Sequence, residues 1–460
     1  MIDIIQKITS FLWDNLIAYM LLGVGVLYTI RLGFPQISKL GRAFNEAFGG
    51  VFKKKDPNDN SGVSPFQALA TAIAAQVGTG NIGGVAGAIM VGGPGAVFWM
   101  WVSGILGMST IFAEAVLAQT YREKKDDTVY GGPAYYISNG LKNKKFGKIL
   151  ATMFSIFIII ALGLVGNMVQ SNSISLSLKN GFGITPVITG LVLAVLIGMI
   201  VIGGIERISR FAELVVPIMA LIYIVGGIVI LVKFNDQIIP VFKGIFTAAF
   251  SSKAVLGGLV GISMKKAIRL GLQRGLFSNE AGMGSTPHAH AVAEVPHPVN
   301  QGLVAMAGVV VDTLLICTLT ALIILVTNAH NISAGLGLQT VAVTQKGFEI
   351  AFGNAGLMFL AVSLVFFAFT TIVGWYYFGE SNIAYLFGKK ALTPYRIMVL
   401  VAIVLGTIIP VDTVWMFSDF FNALMVIPNW IGLVLLSGTV VKKFDEWKKL
   451  DKEIRKVSAK

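Results

Sequence analysis

The chain has 460 residues, 55% of them hydrophobic and 13% charged, with a mean hydropathy of +0.77. Soluble domains carry about 25% charged residues, so this composition cannot cover a water-facing surface of ordinary extent. The net charge of +13 does not point to nucleic acid, because the cations lie between apolar runs, where the positive-inside bias and anionic lipid account for them.

The apolar residues cluster into stretches near the ~20 residues that cross a hydrocarbon core. Runs such as Ile149–Val165 and Leu191–Ile202 show no period-2 alternation, which argues against a barrel. The expected fold is therefore an all-α polytopic membrane protein. Met1–Ser10 is not a basic leader and Phe11–Ile30 exceeds a signal-peptide core, so this segment reads as a retained first span. Eleven spans are expected, at roughly 11–32, 65–91, 95–119, 148–177, 185–203, 209–232, 256–291 (interrupted), 302–327, 355–379, 395–411 and 413–440. Connections on one side then hold Lys53-Lys54-Lys55, Arg122, Lys124, Lys125, Lys142, Lys144, Lys145, Lys389 and Lys390, and the tail adds Lys442, Lys443, Lys448 and Lys449. The other side holds few cations, such as Lys179, Lys233 and Lys346. The bias of Lys and Arg toward the cytoplasm predicts an external N-terminus and a cytoplasmic tail in a plasma-membrane protein. Lys265, Lys266, Arg269 and Arg274 fall inside the seventh span; they either line a water-filled vestibule or displace the boundary. Cys317 is the only cysteine, so neither a disulfide framework nor a cysteine-based metal site is available.

Two spans read poorly as continuous helices. The second contains Gln76-Val-Gly-Thr-Gly-Asn81-Ile-Gly-Gly84, and the seventh contains Arg274-Gly-Leu-Phe-Ser-Asn-Glu-Ala-Gly-Met-Gly-Ser-Thr-Pro287. Each glycine costs a helix about 1 kcal/mol relative to alanine, so such density favours unwinding. Backbone groups freed there need protein, water or ligand partners, since lipid supplies none. The alternative is close helix packing, which the Gly80–Gly84 and Gly83–Gly87 spacings also permit. Two breaks, each holding polar residues, favour a ligand site. With the first span set aside, they fall in the first and sixth of ten helices, the pattern of a 5+5 inverted repeat with one extra N-terminal helix and a midplane site. The division expected is 1–64 for the extra helix and its following segment, 65–232 and 233–440 for the two repeats, and 441–460 for a basic tail.

The run Gly92-Gly-Pro-Gly-Ala-Val-Phe-Trp-Met-Trp101 resembles a signature of the alanine or glycine:cation symporter family, and Gly78-Thr-Gly-Asn81 and Gly275-Leu-Phe-Ser-Asn-Glu-Ala-Gly282 resemble other stretches of it. The resemblance extends from about residue 10 to 440 and implies a fold like that of the bacterial leucine transporter. By that likeness the Thr79 and Gly80 N–H groups would hold a substrate carboxylate at a half-helix N-terminus. The carbonyl of Gln76, with those around Phe277 and Ser278, would receive the ammonium; only Phe277 and Gly282 fix that register. Gln170 or Asn167 would add a side-chain contact. The same carry-over implies a sodium cage of the Ala74, Val77 and Phe367 carbonyls with the Thr370 and Thr371 hydroxyls. On a helix, groups at i, i+3 and i+4 share one face, and a hard cation takes oxygen ligands. Both threonines could instead bond back to their own helix. Trp375 lies one turn beyond Thr371 and would project over the substrate side chain, limiting it to little more than a methyl group; alternatively it joins Tyr376 and Tyr377 in an interfacial aromatic belt.

Asn81, Glu280 and Asp312 are polar at expected membrane depth. Asp312 could be a proton or second-cation site, or the partner of an Arg. Glu280 is expected to brace the second break by accepting backbone N–H groups, and Glu114 to be a structural anchor. His288, His290 and His297 with Glu294 are read as a cap after the broken helix rather than a zinc site, since Pro287, Pro296 and Pro298 interrupt any regular face. The expected function is sodium-coupled import of alanine and/or glycine, with no cofactor beyond the coupling ion, no nucleic-acid partner, and an oligomeric state left open. Proton coupling, a channel and an intramembrane enzyme are the alternatives. No repeated filter sequence favours the channel, and neither G-x-S-x-G nor H-E-x-x-H is present for the enzyme.

Overall fold

The structure is a computed structural model that describes residues 2–50, 63–125, 128–250 and 264–458. The Lys53–Lys55 run and the 256–263 start of the seventh expected span lie outside the described residues.

Helices account for nearly all of it. α1 is Ile2–Arg31, α2 Leu40–Phe48, α3 Pro65–Gln76, α4 Gly80–Gly92, α5 Gly95–Thr120, α6 Pro133–Gly140 and α7 Lys144–Phe182. There follow α8 Pro186–Val201, α9 Gly204–Lys233, α10 Asn235–Phe250, α11 Met264–Asn279, α12 Pro287–Ala291 and α13 Pro298–Val326. The chain finishes with α14 Ala329–Leu336, α15 Val341–Phe352, α16 Asn354–Phe387, α17 Leu392–Gly406, α18 Val411–Leu435 and α19 Ser437–Ser458. Two short strands, β1 Glu123–Lys125 and β2 Thr128–Tyr130, pair antiparallel.

Helix ends follow local chemistry. Ser64 and Gln67 form a reciprocal capping box at α3 (2.9 and 3.1 Å), and Pro65, Pro186 and Pro298 open their helices where a missing N–H costs nothing. Asn143 caps α7 from its side chain.

Among the described residues, seven helices are long and apolar enough to cross a membrane: α1, α5, α7, α9, α13, α16 and α18. α4 and α8 are apolar but shorter. Several outrun the expected spans. α7 covers Lys144–Phe182 and α16 covers Asn354–Phe387, because backbone hydrogen bonding does not stop where hydrocarbon does; the last expected span instead ends at Leu435 and α19 begins anew. α2, α6, α10, α14, α15 and α19 were not expected, their apolar stretches being too short to register as spans.

α5 packs between α11 and α13, and α7 lies along α16. Close approach depends on small residues: a Cβ on Gly374 of α16 would lie 2.9 Å from that of Ala75 in α3. Large apolar side chains on α8 and α9, among them Leu191, Val195, Leu214 and Leu221, point outward, as lipid-facing helices require.

Candidate functional site

The first break begins where α3 stops at Gln76; Val77 has φ −81° and ψ 88°. Side chains then replace the helical partners. Asn81 Oδ1 accepts the Gly78 N–H (2.9 Å), and Gln170 Oε1, on α7, accepts the Thr79 N–H (3.1 Å). Gly78 fits against Thr371 and Gln170, whose Oε1 a Cβ there would meet at 3.0 Å. Gly80 faces the second broken element, where a Cβ would lie 3.2 Å from the Phe277 ring and 3.4 Å from the Ser278 Cα. The Gln76 side chain ties the two breaks together, donating to the Asn279 carbonyl (2.6 Å), while its Oε1 and the Thr79 hydroxyl are buried without a partner.

The second break starts later than the sequence suggested. α11 stays helical through Asn279, because Gly275 serves packing against Met100 and Ser103. The chain then leaves the helix through positive φ at Glu280 (57°), Gly282 (84°) and Gly284 (82°). Phe277 and Ser278 thus occupy the last helical turn, where carbonyls lack intrahelical donors. The freed amides of Gly282 and Gly284 both donate to the buried Glu114 carboxylate (2.9 Å each), which also accepts from Asn429 Nδ2 (2.8 Å). Bracing of the break therefore belongs to Glu114 and not, as expected, to Glu280. The Glu280 side chain turns instead to Trp375 Nε1 and Ser285 Oγ, both at 2.5 Å. Gly282 faces Leu21 and Thr110 rather than Gly80 and Phe277, so the structure does not bring it to the substrate cluster.

The oxygens expected around sodium converge only in part. Thr371 Oγ1 donates toward the Ala74 carbonyl (3.0 Å) and the Phe367 carbonyl (3.0 Å), with the Val77 carbonyl at 3.4 Å. Thr370 Oγ1 bonds back to Phe367 (2.9 Å) and faces Met219 Sδ (3.6 Å). Four of the five expected groups meet at one place, and the Thr370 hydroxyl is turned toward α9.

α7 is π-helical over Ile159–Gly166, immediately before Asn167 and Gln170; α4 is π-helical over Gly80–Gly84 and α13 over Val310–Cys317. Such wide turns recur at functional sites. Asn167 Nδ2 bonds to its own helix at Gly163 (3.0 Å), leaving its Oδ1 buried and unpartnered, so Gln170 is the residue that reaches the first break. Trp375, Tyr376 and Tyr377 are all buried, which removes the aromatic-belt reading. The Trp375 indole meets Phe277 edge-on (6.1 Å between centroids) and packs on Gly166.

Asp312 accepts from Asn81 Nδ2 (2.6 Å), Ser278 Oγ (2.9 Å) and Thr313 Oγ1 (2.7 Å), and among the described residues no Arg pairs with it. His288 bonds to Ser285 and Asn382, His290 to Gln301, and His297 caps α13. Of the four cations in the seventh expected span, Arg274 forms a two-pronged pair with Asp419 (3.1 Å each) and lies over Trp415, while Arg269 pairs with Asp14 (2.5 Å). Sequence separation hid these partners, as it hid the Glu114 clamp.

Comparison with known proteins places the whole arrangement. All of residues 1–460 match the sodium:alanine symporter family. The chain belongs to that family. It is 42% identical to the sodium/alanine symporter AgcS of Methanococcus maripaludis, over 100% of this chain and 99% of that one. It is 40% identical to the probable sodium/glutamine symporter GlnT of Bacillus subtilis, over 96% and 91%. Among solved structures, MhsT in complex with L-phenylalanine superimposes with a TM-score of 0.60 at 14% identity, covering 84% of this chain and 92% of that one. At that identity the likeness speaks for the fold, which is the leucine-transporter-like one. The family member described here is a multi-pass membrane transporter of the cation-coupled amino-acid symport class, not an enzyme.

Proposed function

We propose that the chain imports a small neutral amino acid, alanine and/or glycine, together with sodium, by alternating access around a site between the two breaks and α16. The observation that carries this is the Thr79 N–H, which opens α4 and is held by a neutral side-chain oxygen, Gln170 Oε1, at 3.1 Å. A half-helix N-terminus favours negative charge, so a substrate carboxylate oxygen displaces the carboxamide there. The Gln76 carbonyl and those of Phe277 and Ser278 face the ammonium across the gap that Gly80 keeps narrow. Thr371, with the Ala74, Val77 and Phe367 carbonyls, forms the sodium site, and Thr370, turned toward Met219, stands outside it. Trp375 and Phe277 wall the side-chain end and limit it to small groups.

In this reading eleven helical passages cross the membrane, 65–232 and 233–440 are the inverted repeats, the N-terminus is external and the basic tail cytoplasmic. The relatives' names differ on substrate, alanine for AgcS and glutamine for GlnT, so the size of the Trp375 wall is what favours alanine here. Reconstituted protein tests the proposal: saturable uptake of labelled alanine should require an inward sodium gradient, with glycine competing and glutamine failing to. Uptake indifferent to sodium, or driven by a proton gradient alone, refutes it.

A further inference from the structure

Glu280 is fully buried, and among the described residues its side chain has two hydrogen-bond partners, Trp375 Nε1 on Oε1 and Ser285 Oγ on Oε2. No cation pairs with it among the described residues. Arg274, on the helix that ends just before it, is committed to Asp419, and His288 to Ser285 and Asn382. The carboxyls of Glu114 on α5 and Asp312 on α13 lie near enough to add like charge. An unpaired carboxylate in such a setting costs several kcal/mol, and the neutral acid avoids that cost.

The three buried carboxyls differ in what surrounds them. Glu114 accepts three N–H groups, which can only donate. Asp312 accepts from an amide and two hydroxyls. Glu280 has the fewest donors, and one of them is reversible. An indole N–H only donates, so Oε1 is always an acceptor; the Ser285 hydroxyl can donate to Oε2 or accept from it, and both protonation states are satisfied.

We propose that Glu280 binds a proton at Oε2 and that its occupancy is linked to the amino-acid and sodium sites through Trp375. This rests on the site proposed above. The same indole that bonds to Glu280 contacts Phe277, whose ring lies against Gly80, and it stands one helical turn from Thr371. A sodium ion at Thr371 favours the ionised form of a nearby carboxyl. Ion and substrate binding then breaks the O–H bond at Oε2, the proton is released to solvent, and the charged hydrogen bond to Trp375 shortens.

Calorimetric titration of alanine into full-length purified protein with sodium, repeated in two buffers of different ionisation enthalpy, reads the proton directly. Wild type should release a fraction of a proton at neutral pH. Glu280→Gln, which keeps both hydrogen bonds, should release none. No release by wild type at any pH that preserves the fold, or release retained in Glu280→Gln, overturns the proposal. Infrared difference spectra provide a reading that does not need the Gln variant to bind. A protonated-carboxyl C=O band should disappear on adding sodium and alanine, and Trp375→Phe should move it to higher frequency by removing the bond to Oε1. Absence of the band, or a band unmoved by Trp375→Phe, also overturns it. Alanine binding that ignores sodium would instead count against the proposed function, so the two failures are distinct.

Discussion

Thr371 and Thr370 are adjacent, yet the structure assigns them different work, and this difference can be measured. The Thr371 hydroxyl lies within 3.4 Å of three carbonyls drawn from two helices, whereas Thr370 bonds to one carbonyl of its own helix and faces a sulfur. Thr371→Ala removes an oxygen from the meeting point and leaves the Ala74 and Val77 carbonyls without it. Interactions with a charged group contribute about 1.5–3 kcal/mol, and each ~1.4 kcal/mol is tenfold in affinity. The sodium concentration for half-maximal alanine uptake should therefore rise roughly 10- to 100-fold. Thr370→Ala removes a neutral bond worth about 1 kcal/mol, which limits its effect to roughly fivefold. Thr371→Ser keeps the hydroxyl and should stay near wild type. The assay is sodium-dependent uptake into proteoliposomes at matched protein content. A Thr371→Ala curve that overlies wild type, or a Thr370→Ala shift of equal size, refutes the assignment of Thr371 as the bridging ligand.

Four further outcomes are expected. Gly80→Val should abolish transport without loss of folded protein by size-exclusion profile, because its Cβ begins 3.2 Å from the Phe277 ring; alanine amide should likewise bind far more weakly than alanine by calorimetry, since Thr79 would no longer meet an anion. Trp375→Ala should admit valine and weaken alanine, a methylene in such a pocket being worth about 1–3 kcal/mol; an unchanged substrate range would leave the size limit elsewhere. Glu114→Ala should lower the thermal midpoint in detergent and reduce expression, because it strands two backbone amides and Asn429 in the interior, at about 1–3 kcal/mol for each unsatisfied group.

The first break was legible because its cause is local. Gly78, Thr79, Gly80 and Asn81 are contiguous, and the group that replaces the helical partner of Gly78 is Asn81 itself. The second was legible in place but not in extent. A run rich in glycine looks uniformly weak in sequence, yet Gly275 permits contact with α5 while Gly282 and Gly284 take positive φ. Only the partner helix distinguishes the two uses. Glu114 is 168 residues from Gly282, so nothing near either one announces the bond. Trp375 was misplaced in one of its two readings for a similar reason: three consecutive aromatics resemble a belt until the fold buries all three.

The cations of α11 show how packing settles what hydropathy could not. Arg274 is tolerated beside the binding region because Asp419 of α18 meets it with both oxygens at 3.1 Å and Trp415 covers its plane at 4.7 Å. Trp415 in turn rests on Phe277, centroid to centroid 5.2 Å, so the ion pair sits over the ring that walls the proposed substrate site. Trp13 of α1 donates to the Asp419 carbonyl at 3.0 Å, and the neighbouring Asp14 holds Arg269. The N-terminal helix α1 is thus joined to both α11 and α18 at this end. Any motion that separates α11 from α18 must break a paired guanidinium contact, and a helix bonded to both partners resists that separation. Arg269 and Arg274, which looked out of place in a membrane span, are residues that fasten α11 to its neighbours.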